Sequence, residues 1–154
     1  MLCYLVRHGE AKSETENPAR PLSDRGREEV RRVARHAETL GLEVVEIRHS
    51  GKLRARQTAE IMAEYLSPRR GVYETEGLAP DDDPGKARAE LEAAREPLML
   101  VGHLPHLSRL ASALLVAEPE REILSLGMAA VVCLARTEAG FRLLWLLSPE
   151  LARA

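Results

Sequence analysis

The chain opens Met1-Leu2-Cys3-Tyr4-Leu5-Val6-Arg7-His8-Gly9-Glu10, and the break after Val6 decides how the remainder is read. Residues 2–6 form one continuous apolar run of strand length. A strand with no polar alternate face is covered on both sides, as in a sheet sandwiched between helix layers. The run stops abruptly at a guanidinium, an imidazole and a glycine.

Working outward, the same alternation of short apolar runs and amphipathic segments continues, which predicts an α/β layered domain. Residues 10–21 are polar with two prolines and read as a loop. From Asp24, apolar residues recur at helical spacing (Val30, Val33, Ala34, Ala37, Leu40), with Ser23 as N-cap and Gly41 as stop. Residues 43–48 form a second strand, closed by His49-Ser50-Gly51. A second helix over 52–66 carries Ala55, Ala59, Met62 and Leu66 on one face. A short edge strand at Val72-Tyr73, a loop over 78–85 and a modest helix over 86–95 follow. Residues 98–101 make a strand ending at Gly102-His103, and Pro105 suits the first turn of the next helix. That helix buries Leu107, Leu110, Ala111, Leu114 and Leu115. Residues 128–134 and 141–147 are β-rich, split by a hairpin turn at 137–140. With no repeat, linker or low-complexity tract, residues 1–154 read as a single domain.

Composition narrows the function. Of 154 residues, 45% are hydrophobic and 30% charged, ordinary values for a soluble globular chain. Aromatics make up only 3%, which argues against stacking platforms for single-stranded nucleic acid. The formal net charge of −2 gives no overall field to draw in polyanions, so no nucleic-acid partner is expected. The basic residues are almost all Arg, which grips planar oxyanions well. The N-terminus has neither a basic lead-in nor a cleavage site, and no apolar stretch reaches the roughly 18–20 residues of a membrane span. Cys3 and Cys133 lie within apolar runs and read as buried free thiols in a reducing cytoplasm.

Three strand ends carry the chemistry: Arg7-His8-Gly9-Glu10, then His49-Ser50-Gly51 followed by Arg54, then Gly102-His103. In open α/β sheets ligands bind beyond the carboxyl ends of strands, so these clusters share an edge. Two Arg and two His meeting there form a pocket for an anion, best matched by a phosphoryl group. Helix starts behind Ser50 or Leu104 add backbone N–H donors. An imidazole among arginines is disfavoured as imidazolium and stays a neutral nucleophile. The arginines also neutralise the charge that develops on the equatorial oxygens. None of this requires a metal or another cofactor.

These residues give the resemblance. Leu5-Val6-Arg7-His8-Gly9-Glu10-Ala11 resembles the signature of the histidine phosphatase (phosphoglycerate mutase-like) superfamily. The stretch Ser50-Gly51-Lys52-Leu53-Arg54-Ala55-Arg56-Gln57-Thr58-Ala59 resembles its second block, and Val101-Gly102-His103-Leu104-Pro105 its third. The short length, Arg20-Pro21-Leu22-Ser23 and the His-Leu-Pro form of the third block are similar to SixA-type phosphohistidine phosphatases. The resemblance implies a three-layer α/β sandwich, its central sheet mostly parallel with an antiparallel edge strand and helices on both faces. It implies His8 as nucleophile, with Arg7, Arg54 and His103 completing the pocket. Arg20, Gly9 and Leu104 are expected to contact substrate. The implied substrate is phosphohistidine on a phosphorelay-type protein, reached through a pocket without a large cap.

One departure stands out. The mutase and acid-phosphatase branches carry a carboxylate that protonates an alkoxide leaving group, and Gly77 stands where that acid is expected. Glu74, Glu76, Asp81, Asp82 and Asp83 remain candidates. An imidazole leaving from a P–N bond needs far less help, so a missing acid agrees with phosphohistidine as substrate. Asp81-Asp82-Asp83 is otherwise a solvated Pro/Gly loop rather than a metal trap. His49, His106 and the helix residue His36 read as structural or solvated, and Ser50 as the cap of the helix carrying Arg54. The competing readings are a phosphatase of a small phosphomonoester, such as a sugar or nucleotide phosphate, and a non-catalytic phospho-binding module.

Overall fold

In the computed structural model, which describes residues 1–152, the elements run β1 (Leu2–Arg7), α1 (Asp24–Thr39), β2 (Glu46–His49), α2 (Leu53–Leu66), β3 (Val72–Glu74), α3 (Gly85–Ala93), β4 (Leu98–Gly102), α4 (His106–Val116), β5 (Val131–Thr137) and β6 (Gly140–Leu147). They build one six-stranded sheet in the order β3-β2-β4-β1-β5-β6. The first four strands are parallel, whereas β5 runs against β1 and β6 against β5, which makes one side of the sheet antiparallel. The four parallel strands therefore end at one edge.

Alternation along the apolar strands explains the two helix layers. Tyr4, Val6, Ile47, Met99, Val101, Val131 and Cys133 pack on one face with Val30, Val33 and Ala34 of α1 and Ala55, Ala59 and Met62 of α2. Cys3, Leu5, Leu98, Leu100, Val132 and Leu134 pack on the other with Leu91 of α3 and Leu107, Leu110 and Leu114 of α4. Period-two alternation sends neighbouring apolar residues into opposite cores, so an unbroken apolar run is needed at the sheet centre. Cys3 and Cys133 fall in different cores and are free thiols.

Several boundaries differ from expectation for local reasons. β2 begins at Glu46 rather than 43, because Val45 gives its N–H to Pro97 and its carbonyl to Arg70. β5 begins at Val131 rather than 128. Ala129 takes φ +63° and donates to the carbonyls of Arg7 and His8, which breaks the ladder there. α3 stops at Ala93, two residues short of Arg95. Leu40, expected on the buried face of α1, is exposed at its C-cap, and Leu115 of α4 is only half-buried. Among the described residues no helix is long and apolar enough to cross a membrane.

Candidate functional site

The end of β1 is held from both sides. His8 donates its N–H to Gly102 at 3.0 Å, Arg7 donates to Ala130 at 3.1 Å, and Ala129 closes the other flank. Val6 pairs with Val101 and Arg7 with Gly102, so His8 and His103 leave neighbouring strands at the same level. Their rings lie 5.0 Å apart, centroid to centroid. Arg7 comes from β1 and Arg54 from the first turn of α2. The sheet edge thus gathers Arg7, His8, Arg54 and His103.

His8 is buried, and its Nδ1 lies 2.7 Å from the Gly9 carbonyl. That oxygen can only accept, so Nδ1 carries the proton and the lone pair stands on Nε2. Gly9 donates its own N–H to Thr58 Oγ1 at 3.1 Å, and that hydroxyl donates to the Arg54 carbonyl at 2.8 Å. Both backbone groups of Gly9 are thereby engaged within the protein, tying β1 to the helix that carries Arg54. A Cβ at position 9 would come within 2.6 Å of Val30 Cγ2. At position 26 it would meet the Glu10 carbonyl at 2.0 Å, so glycine there lets α1 pack directly on the His8 loop.

The electrostatics favour neutral imidazoles. Burial, followed by the charges of Arg54, Arg7 and Arg20, pushes His8 down to about 4 despite its bond to Gly9. Burial, then His8, Arg54 and Lys52, pushes His103 down to about 3. Burial also lowers Arg7 and Arg54 from their ordinary values, and Arg20 adds to the effect at Arg54. Arg7 is aimed by one bond, Nη1 to the Leu126 carbonyl at 2.8 Å. Arg7 Nε, Arg54 Nε and His103 Nδ1 are buried without a protein hydrogen-bond partner. Buried polar atoms normally find partners, so three unpartnered nitrogens at one sheet edge make it a candidate place for a ligand.

Arg20 sits in a loop closed by the Ala11–Leu22 bridge, at φ +49°, with Nε donating to the Lys12 carbonyl at 3.1 Å. Half-buried Leu104 links His103 to α4 through a cis peptide bond to Pro105. Ser50 departs from its expected role. The N-cap of α2 is Lys52, which has no side-chain cap bond, and the Ser50 hydroxyl lies 2.6 Å from His103 Nε2. His49 accepts the Gly51 N–H at Nδ1, and His106 is fully buried at the start of α4.

The carboxylates lie beside this centre. Ser50, Glu74, Glu76, Asp82, Asp83 and Lys86 line a cleft of about 530 Å³. Asp82 accepts from Ala79 at 2.9 Å, Asp83 accepts from Gly85 at 2.7 Å, and Glu76 pairs with Lys86 at 3.1 Å. Glu74 packs against Gly51, where an added Cβ would fall 2.7 Å from its carboxyl carbon. Asp81 is exposed. Among the described residues no group of three or more His, Cys, Asp or Glu is arranged to hold a metal ion.

Residues 3–79 match the family model of the histidine phosphatase superfamily, branch 1. The chain belongs to this superfamily. An uncharacterized protein of Picosynechococcus is 40% identical over 122 residues, 74% of this chain and 73% of that protein. The structure of the protein histidine phosphatase SixA complexed with tungstate superimposes with a TM-score of 0.86 at 25% identity, covering 97% of each chain. A mycobacterial glucosyl-3-phosphoglycerate phosphatase complexed with VO3 superimposes with a TM-score of 0.74 at 20% identity, over 94% of this chain and 98% of that one. Membership of this superfamily and the likeness to SixA support phosphatase activity for the chain, while the second structure shows the shared fold.

Proposed function

We propose that the protein hydrolyses phosphohistidine on a protein partner of the phosphorelay kind, through a phosphohistidine intermediate on its own His8. The observation that carries this reading is the arrangement around His8. Its Nδ1–H is fixed on the Gly9 carbonyl, and the buried Arg7 Nε, Arg54 Nε and His103 Nδ1 atoms have no protein partner. His8 Nε2 attacks phosphorus and forms a P–N bond while the bond to the substrate imidazole breaks, and the departing imidazole takes a proton from solvent water at the open mouth of the pocket. Water then attacks phosphorus, the P–Nε2 bond breaks, and inorganic phosphate leaves with His8 neutral again. Arg7 and Arg54 hold the equatorial oxygens and offset their growing charge in both steps. His103 donates a further hydrogen bond.

Arg20 is assigned to the mouth of the pocket, where its charge reaches both His8 and Arg54. The Leu104 backbone, just ahead of α4, is assigned to contact the phosphoryl group, and Gly9 contributes through the set of His8. The reaction uses no metal. The reading takes residues 1–154 as one domain and the cytoplasm as the compartment, in keeping with two unpaired thiols. Tungstate in the SixA structure is an oxyanion of the kind this pocket would receive.

A specific observation favours a second reading, a small phosphomonoester as substrate: the carboxylate-lined cleft beside Ser50 is where a proton donor for an alkoxide would have to stand. The two are separated by one peptide prepared with phosphohistidine and with phosphoserine. Faster turnover of phosphohistidine, insensitive to Glu74→Gln and Glu76→Gln, is expected. Faster turnover of phosphoserine that either substitution abolishes would replace the first reading by the second.

A further inference from the structure

The Ser50 hydroxyl makes the shortest hydrogen bond to either site histidine, 2.6 Å to His103 Nε2. It also accepts the Lys52 backbone N–H at 3.3 Å. A serine hydroxyl has one proton to give and two lone pairs to receive with. With Lys52 on one lone pair, two arrangements of the His103 contact are left. If Nε2 carried the imidazole proton, Ser50 would accept twice and its own proton would be left to solvent; no other Ser50 side-chain bond is present among the described residues. If instead Ser50 donates to Nε2, the hydroxyl proton and the Nε2 lone pair satisfy each other within the protein. The imidazole proton then lies on Nδ1, which is buried and without a protein partner. The two tautomers differ in what they offer an oxyanion: a donor at Nδ1 in one, a repelling lone pair in the other.

We propose that Ser50 is a positioning residue that selects the Nδ1–H tautomer of His103 by donating its hydroxyl proton to Nε2, so that the second histidine of the pocket is a hydrogen-bond donor. This deepens the phosphatase reading and rests on it for its consequence, but the tautomer itself belongs to the free protein. Depression of the His103 pKa by burial makes the choice matter, because a neutral ring has only one N–H to place. Gly9 does for His8 what Ser50 does for His103, with a backbone carbonyl acting as acceptor in one case and a hydroxyl acting as donor in the other. Gly51, at φ +91°, turns the chain immediately after Ser50 and brings Lys52 back over its hydroxyl.

Nitrogen-15 NMR of the histidine rings in the free wild-type protein at neutral pH reads the tautomer directly. A protonated Nδ1 and an unprotonated Nε2 on His103 are expected; the reverse assignment overturns the proposal whatever the enzyme's substrate. Ser50→Ala should mix or reverse the tautomers and lower kcat about 10- to 100-fold with KM changed much less, a fraction of what losing a transition-state donor costs. Ser50→Thr keeps the hydroxyl and should restore both the spectrum and most of kcat. A Ser50→Ala protein with the wild-type tautomer and wild-type kcat would also overturn it. Inactivity of the wild type on every phosphoryl donor, with the expected spectrum, would refute the phosphatase reading and leave the Ser50 assignment standing.

Discussion

The two sides of the pocket are built on opposite plans. On the side proposed to take the phosphoryl group, Arg7 Nε, Arg54 Nε and His103 Nδ1 are buried nitrogens without a protein partner. On the side of the loop after β3, three of the five candidate carboxylates already have partners within that loop and α3, Asp82 on Ala79, Asp83 on Gly85 and Glu76 on Lys86, while Glu74 and Asp81 are exposed. Unpaired buried polar groups cost free energy unless a ligand claims them, which is what the proposed oxyanion would do on the first side. The second is arranged to hold its own loop. The contrast suits a leaving group that departs with little proton transfer, as imidazole does from a P–N bond.

The largest way to break this comparison is at His8. His8→Ala should lower turnover of a phosphoramidate about 10⁴-fold or more, the scale on which removal of a covalent nucleophile is felt. Next is the guanidinium clamp. Arg54→Ala should cost about 10²- to 10³-fold in kcat, the magnitude of losing one transition-state donor, with Arg54→Lys recovering only part because Lys is a point charge.

A third prediction concerns pH. In the unfolded chain both site histidines titrate near 6.5, whereas burial holds them near 4 and 3 in the native protein. Between those values the unfolded state binds protons that the native state refuses, so stability must fall as pH drops from 6.5 towards 4. Urea denaturation at pH 7 and pH 5 should show a loss on the order of 1–2 kcal/mol per histidine, and His103→Asn should reduce it. The smallest effect sharpens the other side. Glu74→Gln and Glu76→Gln should each change phosphoramidate turnover by less than about threefold, since no proton is asked of them. A larger loss would show that the acidic cleft takes part in the chemistry.

Much of this arrangement is legible from residues 2–10 alone. An apolar run ending in Arg7-His8-Gly9 specifies a strand covered on both faces with a charged terminus; β4 repeats the pattern, whereas β2, with half-buried Glu46 and Arg48, shares only the polar end. What was hidden depends on contacts between distant segments. Nothing local to Ser50 says that its hydroxyl goes to a histidine 53 residues on rather than to the helix that follows it. Thr58, which ties Gly9 to Arg54, is one polar residue on a buried helix face, with only the Gln57-Thr58 pair of the second block as a signal. Nothing around Gly26 in the sequence shows that the Glu10 carbonyl lies against it. The late start of β5 follows from Ala129 serving the end of β1 instead of its own strand. Strand order likewise comes from the packing of two cores, which pattern along the chain does not encode.

The central claim is that His8 carries the phosphoryl group, and single-turnover trapping tests it most directly. Wild type and His8→Ala are mixed with a radiolabelled phosphoramidate, quenched and analysed for protein-bound label. Acid-labile, base-stable label on the wild type alone is the predicted result. Label on neither protein, with both still binding vanadate or tungstate tightly, would contradict it and make the pocket a phosphate receptor without a nucleophile.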